Sequence, residues 1–464
     1  MKTNLTEGNI LRKLITMALP IMGTSLIQMA YNMTDMFWVG RIGSRAVTAV
    51  GTAGFFTWLA VAFIIIPRIG AEVGVSQAVG RKNTEEVKSY IRHSVQMNVV
   101  LALLYGAALI LFRHQLIGFF HIPGADIAQN TIKYLVIISA GMVFFFLPPV
   151  LTGIFNGHGD SRTPFIINTV GLTVNMVLDP MLILGIGPFP RLEVAGAAIA
   201  TIFAQFVVSL IYVLVMIKKT DFFKGIHFLQ KPDWAHIGRI LKLGLPVSVQ
   251  SGAFTIIAMF IARILAGWGS TPIAVQSVGS QIESISWMTA SGFQTALSAF
   301  VGQNYGAKKW DRIYKGYFTA IGIIAVIGVI TSCLLIFLPG PIFSAFIKEP
   351  DVLEYGKVYL RILGMSQLFM CMEITTAGAF NGLGKTFPPS IVGIVLNALR
   401  IPAALLLSVS LGLNGVWWSI SISSICKGLI LTSWFILFIS RHPEIKGWKT
   451  AKTEKLKAQE EQSI

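Results

Sequence analysis

Apolar residues run through this chain in long blocks separated by short polar or charged interruptions, and the blocks recur from one end to the other. A helix needs about 20 such residues to cross the hydrocarbon core of a bilayer. The blocks fall near 14–38, 47–72, 92–112, 131–155, 164–186, 194–216, 243–265, 273–300, 316–338, 353–380, 389–410 and 415–439. They predict twelve transmembrane helices in an all-α polytopic membrane protein. A β-barrel is excluded, because the blocks lack the alternation that ten-residue barrel strands show. The first block continues to about Trp38 with no small-residue cleavage site, so it reads as a span and not as a signal peptide.

Composition agrees with that pattern. Of 464 residues, 54% are apolar and 12% charged, and the mean hydropathy is +0.70. The net charge of +16 would suit a nucleic-acid partner if it were concentrated in one domain. It punctuates the ends of the apolar blocks instead, so no nucleic-acid partner is expected and the partner is the lipid bilayer. Twenty-five Lys and Arg lie at the ends on one side of the predicted membrane and eight on the other. That excess places both termini in the cytoplasm.

A long connection at 218–242 separates two halves of six spans. "MALP" (17–20) pairs with "LGLP" (243–246), and "GS" (43–44) with "GS" (269–270). "SQAVGRK" (76–82) pairs with "GQNYGAK" (302–308), all three at an offset of 226, and "GIFNGHG" (153–159) pairs with "GAFNGLG" (378–384) at 225. A constant offset over both halves is an internal repeat. Six is an even number of crossings, so the repeat is parallel. The expected organisation is an amino-terminal lobe (1–217), a cytoplasmic linker (218–242), a carboxy-terminal lobe (243–440) and a polar tail (441–464).

Charge inside the spans is where function is expected, because it is expensive there. Asp179 lies within "TVNMVLDPMLILG" and Asp35 within the first span. Asp35 follows Tyr31 by four residues and Asp179 follows Asn175 by four, so each pair shares a helix face. Pro180 has no N–H to donate to the carbonyl of Met176, which leaves that oxygen beside the carboxylates. Two acids, a carboxamide and a loose carbonyl can hold a proton or a hard cation. The repeat keeps neither acid: Asp35 corresponds to Ile261, and aligning "NMVLDP" with "NALRIP" pairs Asp179 with Ile401. Coupling is therefore assigned to the amino-terminal lobe, with Pro20 and Pro180 as kinks.

In the second lobe, Glu283 either attracts a cationic substrate or pairs with Arg400 or Lys427. Met33, Met36 and Phe37 crowd Asp35 in sequence and form either an adaptable substrate surface or ordinary packing. Cys333, Cys371 and Cys426 lack ligand spacing and read as small packed residues. "GLGKT" (382–386) lacks the first glycine of a phosphate loop, and no soluble domain is present to hydrolyse ATP. The chain is not expected to be an enzyme or to hold a cofactor, so its energy would come from an ion gradient.

The paired "LP", "TDMFWVGRIG", "GQNYGAK", "FNGHGDSRTP" and "FNGLGKTFPP", in that order over residues 10–440, resemble the multidrug and toxic compound extrusion (MATE) family. Asp35, Asn175 and Asp179 resemble the amino-terminal cation site of its DinF-like branch, and Thr201 matches a hydroxyl of the archaeal relatives' site. Glu373 falls near an acid that some relatives use for sodium. The resemblance implies a monomeric antiporter of the inner (plasma) membrane. It would export small organic cations and other xenobiotics in exchange for protons, or less readily for sodium at Asp35, Asn175 and Asp179. A related family implies the alternative, a flippase for a lipid-linked or polyanionic substrate.

Overall fold

A computed structural model describes residues 4–120, 124–219, 225–347 and 349–445. All regular structure among them is helical. The elements are α1 (Ile10–Gly40), α2 (Ser44–Gly80), α3 (Thr84–Leu111), α4 (Arg113–Gly118), α5 (Ala125–Ala140), α6 (Met142–His158), α7 (Arg162–Leu184), α8 (Glu193–Lys219) and α9 (Trp234–Ala266). They continue as α10 (Ser270–Gly306), α11 (Trp310–Phe337), α12 (Pro339–Ser344), α13 (Pro350–Gly364), α14 (Gln367–Gly382), α15 (Phe387–Ala398), α16 (Arg400–Leu411) and α17 (Leu413–Ser440).

Nine spans among the described residues are long and apolar enough to cross a membrane, and α5 with α6, bent by 52°, makes a tenth. Polar α10 and the pair α13–α14 complete the twelve predicted spans. Three of the twelve are broken rather than continuous. At the first break, a Cβ on Gly141 would come 2.3 Å from Ile202 Cγ2, so glycine lets α5 and α6 turn close against α8 there.

The repeat is visible element by element. α10, α11 and α12 start 226 residues after α2, α3 and α4 and match them in length, and α13, α14 and α15 start 225 after α5, α6 and α7. The repeated sequence motifs are helix endings and helix contacts. Lys82 and Lys308 both take left-handed backbone, φ 57° and 58°. Each lies in a six-to-one turn: Asn83 N–H donates to Ala78 O at 3.1 Å, and Lys309 N–H to Asn304 O at 2.8 Å. Gly159 and Gly384 close α6 and α14 the same way, Asp160 and Lys385 N–H reaching Phe155 and Phe380 O at 2.9 Å. Within the same motifs, a Cβ on Gly157 would lie 2.5 Å from Glu72 O and one on Gly382 2.5 Å from Ser298 O. These small residues bring α6 onto α2 and α14 onto α10 at backbone distance.

The described residues form two compact units, one of Leu19–Ser248, the other of Asn4–Ala18 with the described residues from Val249 onward. The change of unit thus falls inside α1 and α9, near Pro20 and Pro246, and not across the expected linker. Much of that linker is ordered helix, since α9 already begins at Trp234. Residues 220–224 of the linker and 446–464 of the expected tail lie outside the described residues.

The first unit packs around Val39, Ile64, Tyr90, Phe146, Ile154 and Tyr212. The start of α9 belongs to it: Ser248 Oγ donates to Ala62 O at 2.7 Å, and Asp233 N–H to His93 Nε2 at 2.8 Å. The second unit packs around Phe343, Tyr359, Leu363 and Trp417. It holds the described N-terminal segment, where Leu5 is fully buried, its N–H donates to Gln303 Oε1 at 3.2 Å, and Asn304 Nδ2 donates to Leu5 O at 3.2 Å. Of the cysteines expected to be packed, Cys371 is buried, Cys426 half-buried and Cys333 exposed.

Candidate cation-coupling site

The first unit gathers five of the residues singled out in the sequence. Tyr31 and Asp35 come from α1, Asn175 and Asp179 from α7, and Thr201 from α8. Asp179 is 0% exposed and Asn175 1%. With its amide turned so that both ends find partners, Asn175 donates to Asp179 Oδ2 at 3.1 Å, and its oxygen accepts from the Thr201 N–H at 3.2 Å. The Tyr31 and Thr201 hydroxyls are 3.4 Å apart. Asp35 is close enough to Asp179 to act on it electrostatically, and its Oδ1 is buried without a hydrogen-bond partner among the described residues. Pro180 lies inside α7, so no N–H closes onto the Met176 carbonyl beside the acids.

Two contributors were not read from the sequence. Tyr134, buried on α5, lies close enough to interact with both carboxylates and with Tyr31. Gln28 joins Tyr31, Asn175 and Thr201 in lining a small cavity beside the acids. Gln28 precedes Tyr31 by three residues and Asp35 by seven, so the helical period of α1 was the available signal for it. No such signal existed for Tyr134.

Met33, Met36 and Phe37 stand 63%, 43% and 52% exposed, so the structure does not bring them into this pocket. The helix turns about 100° per residue, which sends positions 33, 36 and 37 away from the face that carries Tyr31 and Asp35.

In the second unit, Glu283 pairs directly with neither base. It accepts from Tyr359 OH at 3.2 Å and from Gln367 Nε2 at 2.8 Å, with Arg400 within electrostatic reach. Glu373 forms an ion pair with Lys427 at 3.0 Å. Arg400 donates from Nε to Ser423 Oγ and from its terminal nitrogen to Ser424 Oγ, both at 3.1 Å.

The element ends correct one alignment. α7 and α15 start 225 apart, and the carbonyls of Leu182 and Leu407, also 225 apart, receive Gly196 and Gly415 at the same 2.3 Å Cβ approach. Asn175 therefore stands opposite Arg400, and Asp179 opposite buried Ala404 instead of Ile401. The break at Leu399 between α15 and α16 is what displaced the sequence match. No acid stands at the repeat position under either alignment.

The donor set of this site is all oxygen apart from the Asn175 nitrogen. It suits a proton, or a hard cation if the Asn175 amide were reversed to present its oxygen. Among the described residues no cluster of three or more His, Cys, Asp or Glu is placed to hold a metal ion.

A MatE family model matches residues 20–181 and 246–406, two stretches whose starts are 226 apart, as in the repeat. The chain is 30% identical over 412 residues to a probable multidrug resistance protein NorM of Thermotoga maritima, covering 88% of each. It is 26% identical over 433 residues to an FAD transporter of Shewanella oneidensis, covering 90% of this chain and 92% of that one. A crystal structure of MATE in complex with MaD5 shares the fold, with a TM-score of 0.86, 22% identity, and coverage of 95% of this chain and 98% of that one. The chain belongs to the multidrug and toxic compound extrusion (MATE) family of membrane transporters.

Proposed function

We propose that this protein is a secondary antiporter of the plasma membrane, with both termini cytoplasmic, that exports organic cations in exchange for protons. The observation that carries the reading is the one-sided placement of the acids. Asp35 and Asp179 lie within electrostatic reach of each other in the first unit, while their repeat positions hold buried Ile261 and Ala404. A duplicated scaffold would keep residues needed only for scaffolding. Loading the pair from outside would favour one arrangement of α1 about Pro20. Releasing the ion inside would restore the charge that draws in the next cation. Such a cycle requires affinity that differs between states.

Protons are preferred to sodium because the two acids within electrostatic reach of each other are the amino-terminal pair, whereas Glu373 of the second unit is already paired with Lys427. The similarity to the Thermotoga multidrug resistance protein NorM supports drug export. The test is ethidium efflux from proteoliposomes with a pH gradient or a sodium gradient imposed separately. Efflux driven by sodium at symmetric pH, with no response to a pH gradient, would reverse the choice of ion.

A second reading, transport of a polyanionic substrate, is favoured by buried Arg400 and Lys427 and by the Shewanella relative named as an FAD transporter. Lys427 is already paired with Glu373, and Arg400 lies within reach of Glu283, so these bases are largely neutralised by their own unit. Gradient-driven uptake of FAD, with no ethidium movement, would select it.

A further inference from the structure

Asp179 is the inner end of a stripe along one face of α7. Asp160, Pro164, Asn168, Gly171, Asn175 and Asp179 follow one another at steps of three or four residues, the spacing of a single helix face. α8 meets it with Thr201, Gln205, Val208 and Tyr212 at the same steps. A Cβ on Gly171 would come 2.0 Å from Val208 Cγ2, so the two helices close tightly there.

Within this seam lies a cavity of about 20 Å³, lined among others by Tyr31, Asn168, Asn175, Thr201 and Gln205. A water molecule needs roughly 10–15 Å³ of such space and two to four polar partners. The cavity has room for one water. Beyond it, Asn168 Nδ2 donates one N–H to Pro164 O at 2.8 Å and shares the other between Tyr212 OH at 3.2 Å and Thr152 Oγ1 at 3.4 Å, and those two hydroxyls are 2.8 Å apart. Tyr212 is fully buried, and Asp160 is close enough to act on it electrostatically. Asp160 sits ahead of the first turn of α7, where it accepts from the Thr163 N–H at 3.0 Å and hydroxyl at 2.7 Å.

We infer that this seam is a proton relay between Asp179 and Asp160, through the Tyr31 and Thr201 hydroxyls, a water in the cavity, and the Tyr212–Thr152 hydroxyl pair that Asn168 orients. The inference rests on the coupling role proposed for Asp179. A proton leaves the Asp179 carboxyl, which becomes a carboxylate. Each hydroxyl or water oxygen on the way takes a proton on one side and gives up its own on the other, and Asp160 ends protonated. No electron changes hands and no covalent intermediate forms. Asp35 and Tyr31 on α1 and Tyr134 on α5 face the inner end and set the charge against which Asp179 works. Tyr212 and Thr152 are positioning and relay residues, not part of the substrate site.

The test uses the full chain in proteoliposomes with a luminal pH dye and ethidium as substrate. Tyr212→Phe removes a relay hydroxyl, and Ala204→Val narrows the cavity from α8. Both variants should bind ethidium as tightly as the parent in detergent. Their pH-gradient-driven exchange should fall tenfold or more, and deuterium oxide should slow them more than it slows the parent. Thr152→Ala should behave as Tyr212→Phe does, while Thr152→Ser, which keeps the hydroxyl, should match the parent. Should either of the first two variants fail to fold, the Thr152 pair decides alone. Exchange at the parent rate by Tyr212→Phe and Thr152→Ala overturns the relay and leaves the role of Asp179 standing. An equal loss in Thr152→Ser and Thr152→Ala overturns it as well, marking the site as packing. Normal exchange by Asp179→Asn would remove the coupling role, and the relay with it.

Discussion

Asp35 and Asp179 differ in how firmly they are held. Asp179 accepts a hydrogen bond from Asn175 and has Pro180 directly after it, whereas one oxygen of Asp35 has no partner among the described residues. A side chain with an unmet acceptor is the one most readily rearranged by a proton. Asp179→Asn should abolish gradient-driven ethidium efflux while the protein still inserts and elutes as a single species in detergent. Normal efflux from that variant would end the coupling assignment. Pro180→Ala restores an amide N–H that can bond the Met176 carbonyl and withdraw it from the pocket. Turnover should fall while expression holds, and efflux equal to the parent's would show the proline to be packing only. Most of this site was legible in the sequence, because a carboxylate in an apolar run stands out and a four-residue step fixes its neighbour. Tyr134 was not, since an uncharged tyrosine on a distant helix carries no local mark of the acids it meets. Met33, Met36 and Phe37 show the opposite case: they are close to Asp35 in sequence but lie on other faces of α1.

Among elements, the repeated "GIFNGHG" and "GAFNGLG" have a concrete task. They end a helix in left-handed backbone and lay it against another helix's carbonyls. Gly157→Ala should cost about 1–3 kcal/mol through overpacking, because its Cβ would meet Glu72 O at 2.5 Å. Gly153→Ala, at 3.0 Å from Arg68 O, should cost less. Thermal unfolding in detergent would order the two, and equal melting temperatures would refute the argument from backbone contact.

The start of α9 offers a separate test. Asp233 caps it by accepting from the Ala235 N–H at 2.9 Å and by pairing with His236. The His236 hydrogen bond and that N–H hold the Asp233 carboxyl below the usual carboxylate range. A lowered value means the cap contributes above the ordinary carboxylate pKa and is lost as pH falls through the depressed one. Asp233→Ala should therefore speed amide exchange in the first turn of α9 at pH 7, and the gap from the parent should close in acid. The helices themselves were readable from the hydrophobic blocks. Their breaks at Gly141, Met365 and Leu399 were not, because a bend leaves an apolar run unbroken in sequence.

At the scale of the whole molecule, duplication supplied two scaffolds and only one of them carries the acids. The second unit holds instead a buried ion pair, Glu373 with Lys427, and a half-buried glutamate bonded by Tyr359 and Gln367. If the first unit alone couples, a pH gradient should drive efflux in Glu373→Gln/Lys427→Met, a double change that removes both charges together. Loss of gradient response with retained ethidium binding would place coupling in both units. The exchanged helix starts have a further consequence, for biosynthesis. The segment from Asn4 to Ala18 leaves the ribosome well before the rest of its unit, whose remaining residues begin at Val249. Its clasp, Gln303, Asn304, Lys309 and Arg312, is synthesised about three hundred residues later. That segment must wait unclasped until the eighth span has emerged. Nascent chains arrested before that point should leave Leu5 open to a thiol reagent when it is replaced by cysteine, and chains released after it should protect the same position.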